Sequence, residues 1–369
     1  MWRRIRALVH KEFLALFRDR KSRFVLIVPP IIQLLVFGYA ATFDLNHIAY
    51  AVLDQDRSAA SRELLAAFDG SPHFERVATL DSVEQIAPLV DAKRALLVVH
   101  VGPQFGGKLL SGDPAPLQVI VDGRNSNTAA VAVNYVRTIV NAFNASWRER
   151  RNLPEPPAEL VVRSWFNPNL ESRWFFIPGI VGVITLLVTM LTTALSVARE
   201  REQGTFDQLL VTPLRPVEIL IGKALPGFLV GIAEATLIIL VATLWFRIPL
   251  LGSLVVLYAG LVLFLLSAVG VGLLISSLAV TQQQGLLGAF LFMVPAVTLS
   301  GFATPIANMP PIVQAITLLD PLRYFLVILR KVFLEGVSFD VLAHEFWPMA
   351  VIGVVSLTLA GWLFRHRMY

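Results

Sequence analysis

Six apolar runs constrain this chain more than any other feature. They span 24–42, 174–197, 225–246, 250–278, 284–302 and 346–364. As helices rising about 1.5 Å per residue, each is long enough to cross a hydrocarbon layer of about 30 Å. The fourth is long enough to tilt or bend. Charged residues make up 15% of the chain, against about 25% in an ordinary soluble domain. Mean hydropathy is +0.67. The expected fold is an α-helical polytopic membrane protein with six transmembrane helices, plus a polar α/β domain inserted after the first.

The net charge of +5 matters through its distribution and does not point to nucleic acid. Arg3, Arg4, Arg6, Lys11, Arg18, Arg20, Lys21 and Arg23 precede the first run, against only Glu12 and Asp19. Basic flanks stay in the cytoplasm, so the N-terminus is expected there. Six spans return the C-terminus to the same side, where Arg365 and Arg367 fit. The loop 198–223 falls there too. Cleavage of a leader near Ala40 would leave an odd number of spans and break this agreement.

The interval 43–173 then lies outside the cytoplasm. Segments 47–54, 73–79, 94–101, 117–123 and 159–165 read as strands, and 58–68, 82–91 and 127–147 as helices. Their alternation predicts a mixed sheet with helical cover, followed by a proline-rich bend at 151–160. Residues 102–109, GPQFGGKL, nearly match a phosphate-binding loop. Leu109 stands where a hydroxyl would hold Mg²⁺, so the stretch reads as a glycine turn. The chain has no cysteine, its six histidines are scattered, and no metalloprotease or nucleophile-elbow motif occurs. No catalytic, cofactor-binding or metal residue is therefore expected. Glu234 is the exception to the apolar runs, near the middle of the third. An intramembrane carboxylate is either functional or packed in a hydrogen-bonded or protonated form.

The loop between the second and third runs is crowded with charge. It also holds a short amphipathic segment. Thr205 and Gln208 have capping-box spacing, and Asp207 suits a helix N-terminus. Phe206, Leu209 and Leu210 fall on one face, and Pro213 ends the turn. So short a helix needs a surface to rest on. A partner groove and the lipid interface are both open to it.

The stretch AREREQGTFDQLLVTPLRPVEILIGK strongly resembles the cytoplasmic loop of type-2 ABC exporter permeases. Their pattern E-x-G-T/S-x-x-x-L-x-x-x-P is matched by Glu202, Gly204, Thr205, Leu209 and Pro213. The resemblance extends over the chain. Residues 1–23 look like the family's amphipathic elbow helix, with Trp2, Ile5, Leu8, Val9, Phe13, Leu16 and Phe17 on its apolar face. Residues 303–345 resemble external re-entrant helices, with Arg330 and Gly336 at family positions. The tail is 365–369.

The resemblance implies a permease subunit in a bacterial inner membrane, with no catalysis of its own. Its loop would form the coupling helix seated in a separate ABC ATPase, and that subunit would hold ATP and Mg²⁺. A second permease subunit, identical or paralogous, would complete the translocation path. Closure of the ATPase would push on 205–211 and shift spans one, two and five. The external domain would dock a periplasmic adaptor or gate the exit. Cargo is left open among drugs, lipids and other amphiphiles. The rival reading is a membrane-anchored receptor or assembly factor acting through its external domain, but one or two spans would anchor such a domain. Contacts with membrane lipid follow in either case.

Overall fold

The computed structural model describes residues 1–18, 20–39, 45, 47–152, 165–167, 171–206, 208, 212 and 214–366. Two compact units result, Met1–Thr42 with Ser164–Tyr369, and Phe43–Arg163. Two helices open the chain, α1 (Trp2–Arg18) and α2 (Arg20–Tyr39).

The unit Phe43–Arg163 contains β1 (Ile48–Asp54), α3 (Ala59–Asp69), β2 (Phe74–Leu80), α4 (Ile86–Asp91), β3 (Leu97–Val101), α5 (Phe105–Ser111), β4 (Leu117–Val121) and α6 (Ser126–Arg150). The strand order is β2-β1-β3-β4. β1 runs parallel to β2 and β3, and β3 antiparallel to β4. Side chains alternate across the sheet. Tyr50 and Val52 meet Leu64, Phe68, Phe105 and Val136 on one face. Ala51 and Leu53 meet Ile86 of α4 on the other. The mixed sheet is as expected. The expected fifth strand, 159–165, and the proline-rich bend lie almost wholly outside the described residues. GPQFGGKL is not a plain turn: from Phe105 it forms α5. Its Gly106 N–H donates to Asp56 Oδ2 at 2.9 Å, so a carboxylate of the domain itself occupies that amide.

The other unit continues with α7 (Ser172–Glu202), α8 (Pro216–Leu240, prolonged by a π-helical turn Val241–Trp245), α9 (Leu254–Leu278) and α10 (Gln282–Leu299). α11 (Pro311–Ile316), α12 (Pro321–Arg330, with a π turn Lys331–Glu335) and α13 (Phe339–His366) complete it. Among the described residues four helices are long and apolar enough to span a membrane: Ser172–Glu202, Pro216–Trp245, Leu254–Leu278 and Phe339–His366. Pro311–Leu319 and Pro321–Glu335 form a pair bent by 86°, which would make a fifth span if counted as one. The break falls at Asp320–Pro321, as the prolines require.

The six expected runs are therefore met unevenly. α2 is helical from Arg20 to Tyr39, and 40–44, which include the end of the expected run, lie outside the described residues. In α10 three glutamines and Pro295 dilute the run. The bounds move as well. α7 continues through Arg199, Glu200, Arg201 and Glu202, all good helix formers, and α8 already begins at Pro216. The expected loop 198–223 thus contracts to 203–215, and Lys223 becomes part of a helix. The fourth run starts later than expected because Pro249 and Gly252 precede the helix. α7 is the centre of the bundle: 72% of its apolar window is buried, against 39% for α8 and 33% for α13. Close packing relies on small residues. At Gly270 of α9 a Cβ would sit 2.1 Å from Ser356 Oγ and 3.0 Å from the Leu357 amide of α13.

Candidate functional site

Two charges at the end of α7, Arg201 and Glu202, serve the ends of neighbouring helices. Gly204 closes α7 in the left-handed conformation at φ +66. Its N–H donates to Arg201 O at 3.1 Å and the Thr205 N–H to Glu200 O at 3.0 Å, the paired bonds of a Schellman cap. The Thr205 hydroxyl donates to the same Glu200 carbonyl at 3.3 Å. Arg201 Nη1 donates to Ser277 O at 2.9 Å and Ala279 O at 3.3 Å, where α9 ends. Glu202 Oε2 accepts the Gln282 N–H at 2.7 Å, where α10 begins. Glu218 Oε2 accepts the Arg215 N–H at 2.8 Å, where α8 begins. Cations at carbonyl ends and carboxylates at amide ends match the helix dipoles.

Phe206 turns inward. It is buried with Leu8, Val197, Ile219 and Phe364, edge-on to the Phe364 ring at 5.8 Å and under the Arg201 guanidinium at 5.0 Å. Its ring therefore anchors the loop to its own subunit and is not part of an outward apolar face. Phe206 and Gln208 are helical. Asp207, Leu209, Leu210 and Pro213 lie outside the described residues.

Behind this loop three helices are joined by buried charge. Lys223 of α8 has a side chain only 1% exposed. Its Nζ donates to Glu12 Oε1 of α1 at 2.6 Å and to Ser196 O of α7 at 3.3 Å. It lies 2.6 Å from Glu200 Oε2 of α7, a coulombic contact rather than a directed hydrogen bond. Lys11 Nζ donates to Glu200 Oε1 at 2.5 Å. Two cations and two carboxylates cancel. A cavity of about 370 Å³ opens beside them, lined among others by Lys11, Glu12, Arg199, Glu200, Thr205 and Lys223.

α1 reaches the cluster because it has two apolar faces. Ile5, Leu8 and Leu16 are buried with Glu12, while Trp2 and Phe17 remain 79% and 51% exposed. Of the expected elbow face, one side therefore meets the bundle and the other stays open. Gly222 of α8 lets α1 approach: a Cβ there would lie 2.3 Å from Leu8 Cδ2. Sequence reasoning missed this cluster. The readable signal was one charge of each sign on an apolar stripe, Glu12 within Ile5–Leu8–Leu16 and Lys223 between Ile219 and Pro226.

Glu234 is buried in α8, and neither carboxylate oxygen has a hydrogen-bond partner among the described residues. On the same stripe Gly231 brings α8 against Thr189 of α7. Among the described residues no group of His, Cys, Asp or Glu could hold a metal ion.

Residues 20–362 match the model of the ABC-2 family transporter proteins. The chain belongs to that family. It is 41% identical over 368 residues to the probable multidrug ABC transporter permease YbhR of Escherichia coli K12, covering all of both chains. It is 36% identical over 342 residues to the probable multidrug ABC transporter permease YbhS of the same strain, covering 91% of this chain and 89% of that one. The inner membrane transport permease YhhJ of that strain is 29% identical over 361 residues, covering 97% and 96%. This ABC-2 chain is thus a non-catalytic membrane permease, like its relatives.

Lys223→Met is expected to leave two buried carboxylates short of a cation and to lower stability by about 3–5 kcal/mol. Adding Glu12→Gln and Glu200→Gln should recover most of that loss. Thermal unfolding of the detergent-solubilised permease checks both. Equal melting of the single and triple variants would mean that the charges are not coupled.

Proposed function

We propose that this chain is the transmembrane subunit of an ATP-driven exporter, coupled through residues 203–215 to a separate ABC ATPase. The observation that carries this reading is the anchoring of that loop. Its first residues cap α7 and pack against α1, α7, α8 and α13, the last turn of α7 just before it caps α9 and α10, and the Lys223 cluster lies behind it. A push on the loop therefore acts on most of the bundle at once, as a two-state element requires. ATP and Mg²⁺ belong to the partner, and this chain binds no cofactor.

The rest of the proposal follows the family pattern. The chain works as a homodimer or a paralogous heterodimer in a bacterial inner membrane. It has six spans, counting α2 and α10, with both termini cytoplasmic and the α/β domain outside. Drugs, lipids or other amphiphiles are the cargo, the drugs being suggested by the names of YbhR and YbhS. The external domain serves as an adaptor platform or an exit gate.

Two variants separate packing within the permease from the proposed ATPase contact. Leu209→Asp should release the ATPase in mild-detergent copurification while the permease stays folded. Phe206→Asp should instead lower the melting temperature of the permease itself, because a carboxylate buried in an apolar cluster costs several kcal/mol. Full retention of the ATPase by Leu209→Asp would remove that residue from the contact.

Orientation is tested with a reporter active only outside the cytoplasm. Fused after Gly123 it should be active, and after Gly204 silent; the reverse pattern inverts the topology.

Energy source is tested at Glu234. Glu234→Gln keeps the shape and removes the titratable proton. Export from inverted vesicles given ATP should persist in this variant, and in the wild type with an uncoupler. Loss of export under both treatments, with ATP hydrolysis intact, would make Glu234 a carrier of coupling protons.

A further inference from the structure

Among the described residues Arg330 has no counter-ion. It ends α12 and is half-buried in the bundle. Its guanidinium stacks on Phe175, 4.1 Å from the ring centroid. Its Nη2 donates to Gly301 O at 3.3 Å. Its Nε is buried with no hydrogen-bond partner among the described residues. Glu171, just before α7, pairs with Arg173 at 3.3 Å, and among the described residues no carboxylate lies within 4.0 Å of Arg330. Among the described residues one long bond to a neutral carbonyl thus occupies one of its five N–H donors.

The surroundings explain why such a group could be kept. Phe175 lies in the first turn of α7, and Gly301 follows the end of α10. The guanidinium therefore sits where two apolar helices terminate. Phe175 is 40% exposed, so the stacked pair can be reached from outside the bundle. A guanidinium is planar and weakly hydrated, and it favours two-point contact with a carboxylate or phosphate. A charge left unpaired beside apolar side chains is costly, and an oxyanion removes that cost.

We propose that Arg330, held flat against Phe175, is a binding point for the oxyanion of an anionic amphiphile, with the alkyl part lying along the adjoining apolar helices. The recognised chemistry is a phosphate or carboxylate head on a hydrocarbon tail. Such a molecule comes either from the bilayer itself or from exported cargo. The inference rests on the membrane setting and on the exporter reading only for the second source.

The test uses the purified full-length permease in dodecyl maltoside, without an ATPase, so its outcome is independent of coupling. Dodecyl phosphate is titrated and binding is followed by calorimetry and native mass spectrometry. Wild type should bind one molecule per chain. Arg330→Met should weaken binding about tenfold or more, the scale of a lost charged hydrogen bond. Arg330→Lys should fall between, since it keeps charge without the planar fork, and it also serves if the methionine variant fails to fold. Dodecyltrimethylammonium should bind to none of them at this point. Displacement by phosphatidylglycerol assigns the site to a bilayer lipid; resistance to displacement assigns it to cargo. Absence of binding by wild type, or equal affinity in wild type and both variants, overturns the proposal.

Discussion

A lysine ammonium buried among two carboxylates holds three helices together near the loop. Lys223 cannot leave water unless Glu12 and Glu200 come with it, and those residues belong to α1 and α7 while Lys223 belongs to α8. The ion cluster thus fixes which faces of the three helices meet. An apolar contact of similar area would tolerate a slip by one residue; oppositely charged groups at 2.6 Å do not. Gly222 and Leu8 add steric register beside it.

The same economy of charge governs the last turn of α7. Arg201 and Glu202 look alike in a composition count, yet one closes α9 and the other opens α10. Gly204 then reverses the chain, which only a residue at ease with positive φ does without strain. Phe206 follows at once and is driven into the cluster with Phe364. A family pattern written E-x-G-T therefore has a local physical content: a carboxylate for a neighbouring amide end, a glycine for a left-handed cap, and a hydroxyl returning to the helix it follows.

Glu234 and Arg330, which carry buried atoms without a hydrogen-bond partner among the described residues, contrast with those pairings. Glu234 lies deep on the packed stripe of α8, whereas Arg330 lies at a helix end beside an accessible aromatic ring. The first is enclosed by its own subunit. The second adjoins a partly exposed ring, Phe175.

By itself the sequence determined the class of the molecule. Runs of about twenty apolar residues demand a membrane, period-two segments between them demand a sheet, and Pro321 breaks the chain where the 86° bend occurs. The family was legible because the loop pattern is contiguous, so neighbours in the chain carry it. The partners of those residues were not legible. Glu12 and Lys223 are 211 positions apart, Arg201 and Ser277 76, and nothing local says which helix end a charge will cap. The inward packing of Phe206 was not legible for the same reason: periodicity identifies an apolar face but not whether its neighbour is a partner, a lipid or the protein's own core. Tertiary packing decided that, because burial of an aromatic ring is non-directional and the nearest apolar cluster happened to be formed by α1, α7, α8 and α13.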